Sequence, residues 1–283
     1  MIYDTAIVGG GVAGYTAALT AKSLKLRYLW FADDGFGEKT KKAEYVRNFP
    51  AFTGGGKEFC AALETQREKE GVERVQKRVD GVYKTGENFM LTVASETFEA
   101  RTVILATGVQ TRSVAGEGAY LGRGVSYCAV CDGALYRGKK VAVALFSPRF
   151  CEEAEYLASF AAEVRCFCSF GCSFRSPNIT VCKERVLRVE GENRVERVIT
   201  DKGAYPADGV FFLTESVPPS ALCGGLECEG ERVITRRDGS TNLKGLFAAG
   251  DVAGRPYQYV KAAGEGCVAA YSVASYLRAE ARA

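Results

Sequence analysis

Thr5-Ala6-Ile7-Val8-Gly9-Gly10-Gly11-Val12-Ala13-Gly14 reads as a short buried strand that breaks at glycine and enters an Ala-rich helix ending near Lys22. Strand, glycine turn and helix in that order are the context a dinucleotide-binding βαβ unit requires. Gly9 permits the tight turn. Gly11 lets the backbone approach a pyrophosphate, and Gly14 lets helix and strand pack closely. The helix start, with Val12 and Ala13 in its first turn, offers unpaired N–H groups and a positive dipole end to phosphate. A second strand, Arg27-Tyr28-Leu29-Trp30-Phe31, leads to Asp33 and Asp34. Asp33 falls about twenty residues beyond the glycine loop, where an acidic side chain binds a ribose 2′-hydroxyl. A plain polar turn is the alternative for that pair.

Two later segments strengthen the reading. Thr102-Val103-Ile104-Leu105-Ala106-Thr107-Gly108 is a hydrophobic strand ending in small residues. Gly245-Leu246-Phe247-Ala248-Ala249-Gly250-Asp251 is a strand ending in an acid, and it leads through Gln258, Tyr259 and Val260 into a final helix. Asp251, at a strand's carboxyl end, is placed to accept from a polyol. Gly264 and Gly266 are small enough to allow a bulky ligand to approach. Together the three segments resemble two-dinucleotide-binding flavoproteins. That resemblance implies an α/β fold of two Rossmann-like three-layer domains, the second inserted in the first. Residues 1–112 and 242–283 would form the FAD-binding domain and residues 113–241 the insertion. FAD is the cofactor expected.

Bulk composition narrows the class. The chain has 283 residues, 47% of them hydrophobic, enough for packed cores. Basic and acidic residues number 37 and 34, a net +3 too balanced to argue for nucleic acid. No stretch approaches the roughly 18 apolar residues of a membrane span. Met1-Ile2-Tyr3-Asp4 carries no basic leader, so a cytoplasmic location is the expectation. Histidine is absent, which excludes histidine triads and histidine-ligated metals; no metal site is expected. Eleven cysteines in such a chain argue for reduced thiols or a redox site over a disulfide scaffold.

Tyr127-Cys128-Ala129-Val130-Cys131-Asp132-Gly133 supplies that site. Two cysteines three apart at a helix start can bond with little backbone change, and the helix dipole favours a thiolate there. With Asn48-Phe49-Pro50, this segment resembles low-molecular-weight thioredoxin reductases over essentially the whole chain. The resemblance implies that Cys131 faces the flavin, that Cys128 is the interchange thiol, and that Asp132 is the acid. Asn48 joins the cofactor residues on the same ground, and a homodimer is implied.

The second βαβ unit departs from that family. Between Val141-Ala142-Val143-Ala144 and the helix starting at Cys151 stands Leu145-Phe146-Ser147-Pro148-Arg149-Phe150, where NADPH-dependent relatives carry glycines. Side chains at Leu145, Phe146 and Ser147 would block backbone approach, and Pro148 lacks an N–H. After the next strand, Cys168-Ser169-Phe170 stands where a basic segment would bind the 2′-phosphate. Losing two or three charge-assisted hydrogen bonds costs about 3–9 kcal/mol. That moves a micromolar site to about millimolar or weaker. The match is therefore closest to ferredoxin-dependent flavin thioredoxin reductases, which implies ferredoxin as electron donor and thioredoxin as acceptor. Lys39, Lys41, Lys42, Arg47 and Lys57 form a candidate basic rim for an acidic partner, or an ordinary solvated loop.

Three alternatives stay open: a diflavin or small-molecule disulfide oxidoreductase, an NADPH thioredoxin reductase with an atypical site, and a thiol sensor on a retired scaffold. Thr111-Arg112-Ser113 and Ser240-Thr241-Asn242 are hinge candidates by composition. Cys166, Cys168, Cys172 and Cys182 do not match iron–sulfur spacings, and Cys166 and Cys168 should face one side of a strand.

Overall fold

The computed structural model describes residues 1–33, 35–41, 43–109, 114–214 and 217–282. The chain divides into two compact units, Met1–Val109 with Pro218–Ala283, and Gln110–Val217. The expected hinge Thr111-Arg112-Ser113 lies outside the described residues, as does Lys42.

In the first unit the strand Ile2–Val8 pairs in parallel with Tyr28–Phe31 on one side and with the carboxyl half of Glu96–Leu105 on the other. Leu246–Ala248 extends the parallel set from the far side of that long strand. The amino half of Glu96–Leu105 instead pairs antiparallel with Asn88–Val93, which pairs with Gly81–Thr85. The strand Ile2–Val8 is buried on both faces from Thr5 onward, which is why it reads as a continuous apolar run rather than an alternation.

Helices Val12–Ser23, Gly56–Lys69 and Tyr259–Glu280 share one core with Ile7, Trp30, Ile104 and Phe247. The first and last of these cross where Gly266 meets Ala13. A Cβ on Gly266 would stand 2.2 Å from the Ala13 carbonyl oxygen. This glycine therefore serves helix–helix contact, not the ligand approach expected from sequence.

The chain rejoins this unit at Pro218, ahead of the boundary expected at residue 242. Leu222, Cys223, Leu226 and Val233 are all buried, and Cys223 bridges to Val82 of the antiparallel strands. Burial of that segment fixes its allegiance. The hinge expected at Ser240-Thr241-Asn242 is consequently a pinned turn. Thr241 is 4% exposed and donates to Leu246 O at 3.0 Å. Asn242 bonds the backbone of Gly225 and Glu227 at 2.8 and 3.0 Å.

The second unit holds a five-stranded parallel sheet in the order Ile179–Cys182, Glu163–Phe167, Lys140–Leu145, Gly209–Leu213, Val125–Ser126. Helix Cys151–Ala158 covers one face, burying Val141, Val143, Leu145, Val164, Cys166 and Cys168 with Ala154 and Leu157. Leu145 is the last strand residue and belongs to this core. Its expected role as a loop obstruction passes to its neighbours. A three-stranded antiparallel sheet, Val186–Glu190, Arg197–Thr200 and Ala204–Pro206, completes the unit. No described helix is long and apolar enough to cross a membrane. Replacing Gly266 by Ala drives a methyl group into a backbone carbonyl. The substitution is expected to cost about 1–3 kcal/mol, read as a lowered denaturant midpoint at unchanged slope.

Candidate active site

Strand register collects the first set of residues. Val8 stands level with both Phe31 and Leu105, and Leu105 stands level with Ala248. The segments that leave these strands therefore begin along one carboxyl edge. They are the glycine loop, Ala32-Asp33, Ala106-Thr107-Gly108 and Ala249-Gly250-Asp251. This is where open α/β sheets bind nucleotides.

The glycine loop is fixed by backbone contacts. Gly9 has φ +127, and a Cβ there would lie 2.2 Å from Ala106 O. Its carbonyl accepts from Trp30 Nε1 at 2.9 Å. Gly14 packs on the same carbonyl, 2.0 Å from where its Cβ would be. Gly10, a free position in the sequence pattern, is equally constrained, since its Cβ would meet Gly35 O at 2.0 Å. Only the folded loop shows that contact. Val12 and Ala13 bury their side chains in the core, so their offering to a ligand is backbone.

Gly11 behaves differently. It is the N-cap of Val12–Ser23, no side chain caps the helix, and a Cβ built on it meets no described atom within 4 Å. The first N–H groups of that helix have no intrahelical partner. Gly108 is similarly open with φ +74. Thr107 Oγ1 is buried and has no hydrogen-bond partner among the described residues. A second uncapped helix start lies at Gln258, before Tyr259–Glu280. Its side-chain amide oxygen accepts from Asn48 Nδ2 at 2.5 Å, so Asn48, Gln258, Tyr259 and Val260 converge. Tyr259 stacks on Phe59 with centroids 5.3 Å apart, while Val260 is exposed.

Asp251 is occupied in a way the sequence reading missed. Lys39 Nζ donates to its Oδ2 at 2.5 Å and lies 5.3 Å from the Tyr257 ring centroid. Lys39, its side chain 54% exposed, thus pairs with a site carboxylate while staying at the surface. The Gly250 turn is held by two further residues passed over in the sequence. Lys261 Nζ donates to Gly250 O at 2.9 Å and to Gly254 O at 2.6 Å. Glu265 accepts from Gly250 N–H at 2.9 Å. Their i,i+4 spacing on the final helix was the available signal.

In the other unit Cys128 and Cys131 are disulfide-bonded, with Cα atoms 5.4 Å apart. Cys128 is the N-cap of the short helix Ala129–Asp132, and Cys131 N–H donates to its sulfur at 3.1 Å. Cys131 and Val130 are exposed, and Cys128 is half-buried. Asp132 is tied to buried Ser126, whose hydroxyl donates to Oδ2 at 2.6 Å. The same hydroxyl accepts from Cys128 N–H at 3.1 Å. One serine thus couples the carboxylate to the backbone of the first cysteine. Burial, followed by the Asp132 charge, raises the Tyr136 phenol above its usual range. Among the described residues no group of three or more His, Cys, Asp or Glu is placed to hold a metal ion.

An uncapped glycine-loop helix at a parallel sheet edge, with a solvent-facing disulfide in an inserted α/β unit, defines a dinucleotide-dependent disulfide oxidoreductase. The family model described as pyridine nucleotide-disulphide oxidoreductase matches residues 3–167 and 173–266, and the chain belongs to that family. It is 33% identical to the bifunctional thioredoxin reductase/thioredoxin of Mycobacterium leprae over 98% of its length, spanning 66% of that protein. Identity to the thioredoxin reductase of Mycolicibacterium smegmatis is 32%, covering 98% of this chain and 97% of the relative. A crystal structure of a ferredoxin-flavin thioredoxin reductase from Clostridium acetobutylicum matches at TM-score 0.90 with 34% identity, over 98% of each chain. The protein is a thioredoxin-reductase-like flavoprotein disulfide reductase, and its cofactor is FAD.

The open cradle at Gly11, the unpartnered Thr107 hydroxyl and the two uncapped helix starts fit that cofactor. A methyl group at Gly11 clashes with no described atom of the protein but fills the cradle. Gly11→Ala should therefore keep its far-UV circular dichroism while binding FAD about 10–100-fold more weakly. That is the loss of roughly one charge-assisted bond of 1.5–3 kcal/mol, measured by flavin retention on dialysis.

Proposed function

We propose that this protein reduces thioredoxin disulfides with electrons from reduced ferredoxin. The observation that carries the donor assignment is the second loop, set beside the first. Phe146 and Ser147 bring half-buried side chains to the turn, where the first loop has glycines. Pro148 has no N–H, and Phe150 is driven into the core at 2% exposure. Glu152 and Glu153 occupy the first turn of the helix that follows. Carboxylates there suit the helix dipole but repel a pyrophosphate. Arg149 packs its guanidinium over the Phe150 ring at 5.1 Å. These features support exclusion of a nicotinamide dinucleotide and hence a different donor. The relative from Clostridium acetobutylicum bears ferredoxin in its name. Exposed Arg47, its guanidinium 4.9 Å from the ring centroid of exposed Tyr45, offers a positive aromatic contact to an acidic carrier.

Gly9, Gly11, Val12, Ala13, Gly14, Asp33, Asn48, Ala106, Thr107, Gly108, Gly250, Asp251, Gln258, Tyr259 and Val260 would hold FAD. When bound, FAD connects one-electron delivery to two-electron disulfide chemistry. The chain's own residues do the rest. Two electrons open the Cys128–Cys131 bond, and Cys131 is the sulfur assigned to face the reductant. Cys128 then attacks the thioredoxin disulfide as thiolate, forming a mixed disulfide and expelling one thioredoxin thiolate. Cys131 attacks Cys128 sulfur, expels the second and restores the internal bond. Two protons go to the departing thiolates, and Asp132, oriented by Ser126, is assigned their transfer.

Anaerobic mixing with excess NADPH should leave the flavin spectrum oxidised, while reduced ferredoxin should bleach it and sustain thioredoxin reduction. Rapid bleaching by NADPH removes the donor assignment. Cys128→Ser should abolish turnover with flavin still bound. Asp132→Asn should slow turnover about 10²–10⁴-fold, the usual range for general acid–base loss. Ser126→Ala should cost less, about tenfold, because it removes one hydrogen bond to a charged group.

A further inference from the structure

Nine cysteines stand outside the Cys128–Cys131 bond, and the chemistry proposed for that pair uses none of them. Two of the nine are placed as a pair. Cys168 follows the strand Glu163–Phe167 directly and is 3% exposed, packed in the core of the second unit. Cys172 is half-buried, four residues on, and its sulfur lies 2.8 Å from that of Cys168. That separation is about 0.8 Å longer than a covalent S–S bond.

The segment between them is anchored. Phe170 and Phe174 pack against the same core as Cys168. The Cys168 amide donates to Cys182 O at 3.2 Å, and its sulfur is 3.6 Å from Phe170 O. Strand register pairs Phe167 with Ala144, so Cys168 emerges beside Leu145 and the Phe146 loop. The pair thus stands at the sheet edge where a nucleotide-binding relative would need cations for a 2′-phosphate.

We propose that Cys168 and Cys172 form a second dithiol–disulfide centre, oxidised by small-molecule disulfides that enter at Cys172. The Cys172 thiolate attacks one sulfur of RS–SR and releases RS⁻. Cys168 then attacks Cys172 sulfur in the mixed disulfide, forming the internal S–S bond and releasing the second RS⁻. The pair loses two electrons and two protons, and the co-reactant becomes two RSH. Burial, then the interaction with the neighbouring Cys168 thiol, pushes the Cys172 thiol up to about 11. Exchange here is therefore slow beside that of an ordinary thiol. The bond formed ties the Phe170 segment to the sheet edge. This centre does not depend on the reading of the electron donor.

The test uses the FAD-loaded full chain carrying Cys128→Ser and Cys131→Ser, exposed anaerobically to excess oxidised glutathione. Remaining thiols are then alkylated and the peptides mapped by mass spectrometry. The expected result is a free-thiol count lower by two, with one cross-link joining Cys168 to Cys172 that dithiothreitol reverses. Adding Cys172→Ser should remove the cross-link, and adding Cys182→Ser should leave it. Unchanged thiols overturn the proposal. So does a cross-link through Cys166 or Cys182, or a stable glutathione adduct on Cys172. The map of the parent protein decides the matter even if Cys172→Ser does not fold.

Discussion

Backbone pressed against backbone, with no side chain between, is the constraint on which the cofactor unit depends. At Gly9 and Gly14 a carbonyl oxygen occupies the place a Cβ would take, at 2.2 and 2.0 Å. The Ala13 carbonyl fills the corresponding place at Gly266, where the first and last helices cross. These contacts bring the chain's two ends into one sheet and one core, although more than a hundred residues are inserted between them. They also set the level at which Val8, Phe31, Leu105 and Ala248 end. The functional edge is a consequence of packing. Its polar details come from elsewhere: Lys261 and Glu265 hold the Gly250 turn, and Lys39 holds Asp251.

The two βαβ units pose the same physical problem and bring different side chains to it. A phosphate at a helix start needs free N–H groups, room for close approach and no competing negative charge. At Gly11 the structure leaves room and an uncapped helix. At Phe146 a side chain stands where the first loop has glycine, the next position but one is proline, and two glutamates fill the first turn. Phe150, buried where a nucleotide-binding loop would stay open, makes the change structural. Leu145 and Phe150 bracket the turn and join the core, while Pro148 and Arg149 between them stay exposed.

Much of this was legible in the chain before folding, for identifiable reasons. Glycine loops and Cys-x-x-Cys pairs are local, and their chemistry depends on spacing that sequence displays directly. The degenerate second loop was legible because it lacks what the first has. Contacts between distant segments were not. Gly10 looks optional until Gly35 folds over it, and nothing local shows that exposed Lys39 pairs with Asp251, over two hundred residues away. Leu145 looks like a loop obstruction until strand pairing with Leu213 carries it into the sheet. The return of the chain at Pro218 was missed because its signal is the burial of Leu222, Cys223 and Val233, a tertiary property. Ser126 precedes the cysteine pair by only two residues. Its role appears once the turn brings its hydroxyl between an amide and a carboxylate.

That serine bears on how a chain without histidine manages protons. Disulfide exchange needs a group that gives a proton to a leaving thiolate without withdrawing it from the attacking one. An imidazolium donates from either nitrogen, whereas a carboxyl group donates only in its acid form and its carboxylate only accepts. Its usefulness rests on position. Ser126 fixes Oδ2 of Asp132 while it accepts from the Cys128 amide, so carboxylate and first cysteine shift together if the turn moves. Tyr136, its phenol raised by burial and by the Asp132 charge, stays protonated and adds no competing base. Under the role proposed for Asp132, proton transfer would depend on the geometry of one short turn, residues 125–133.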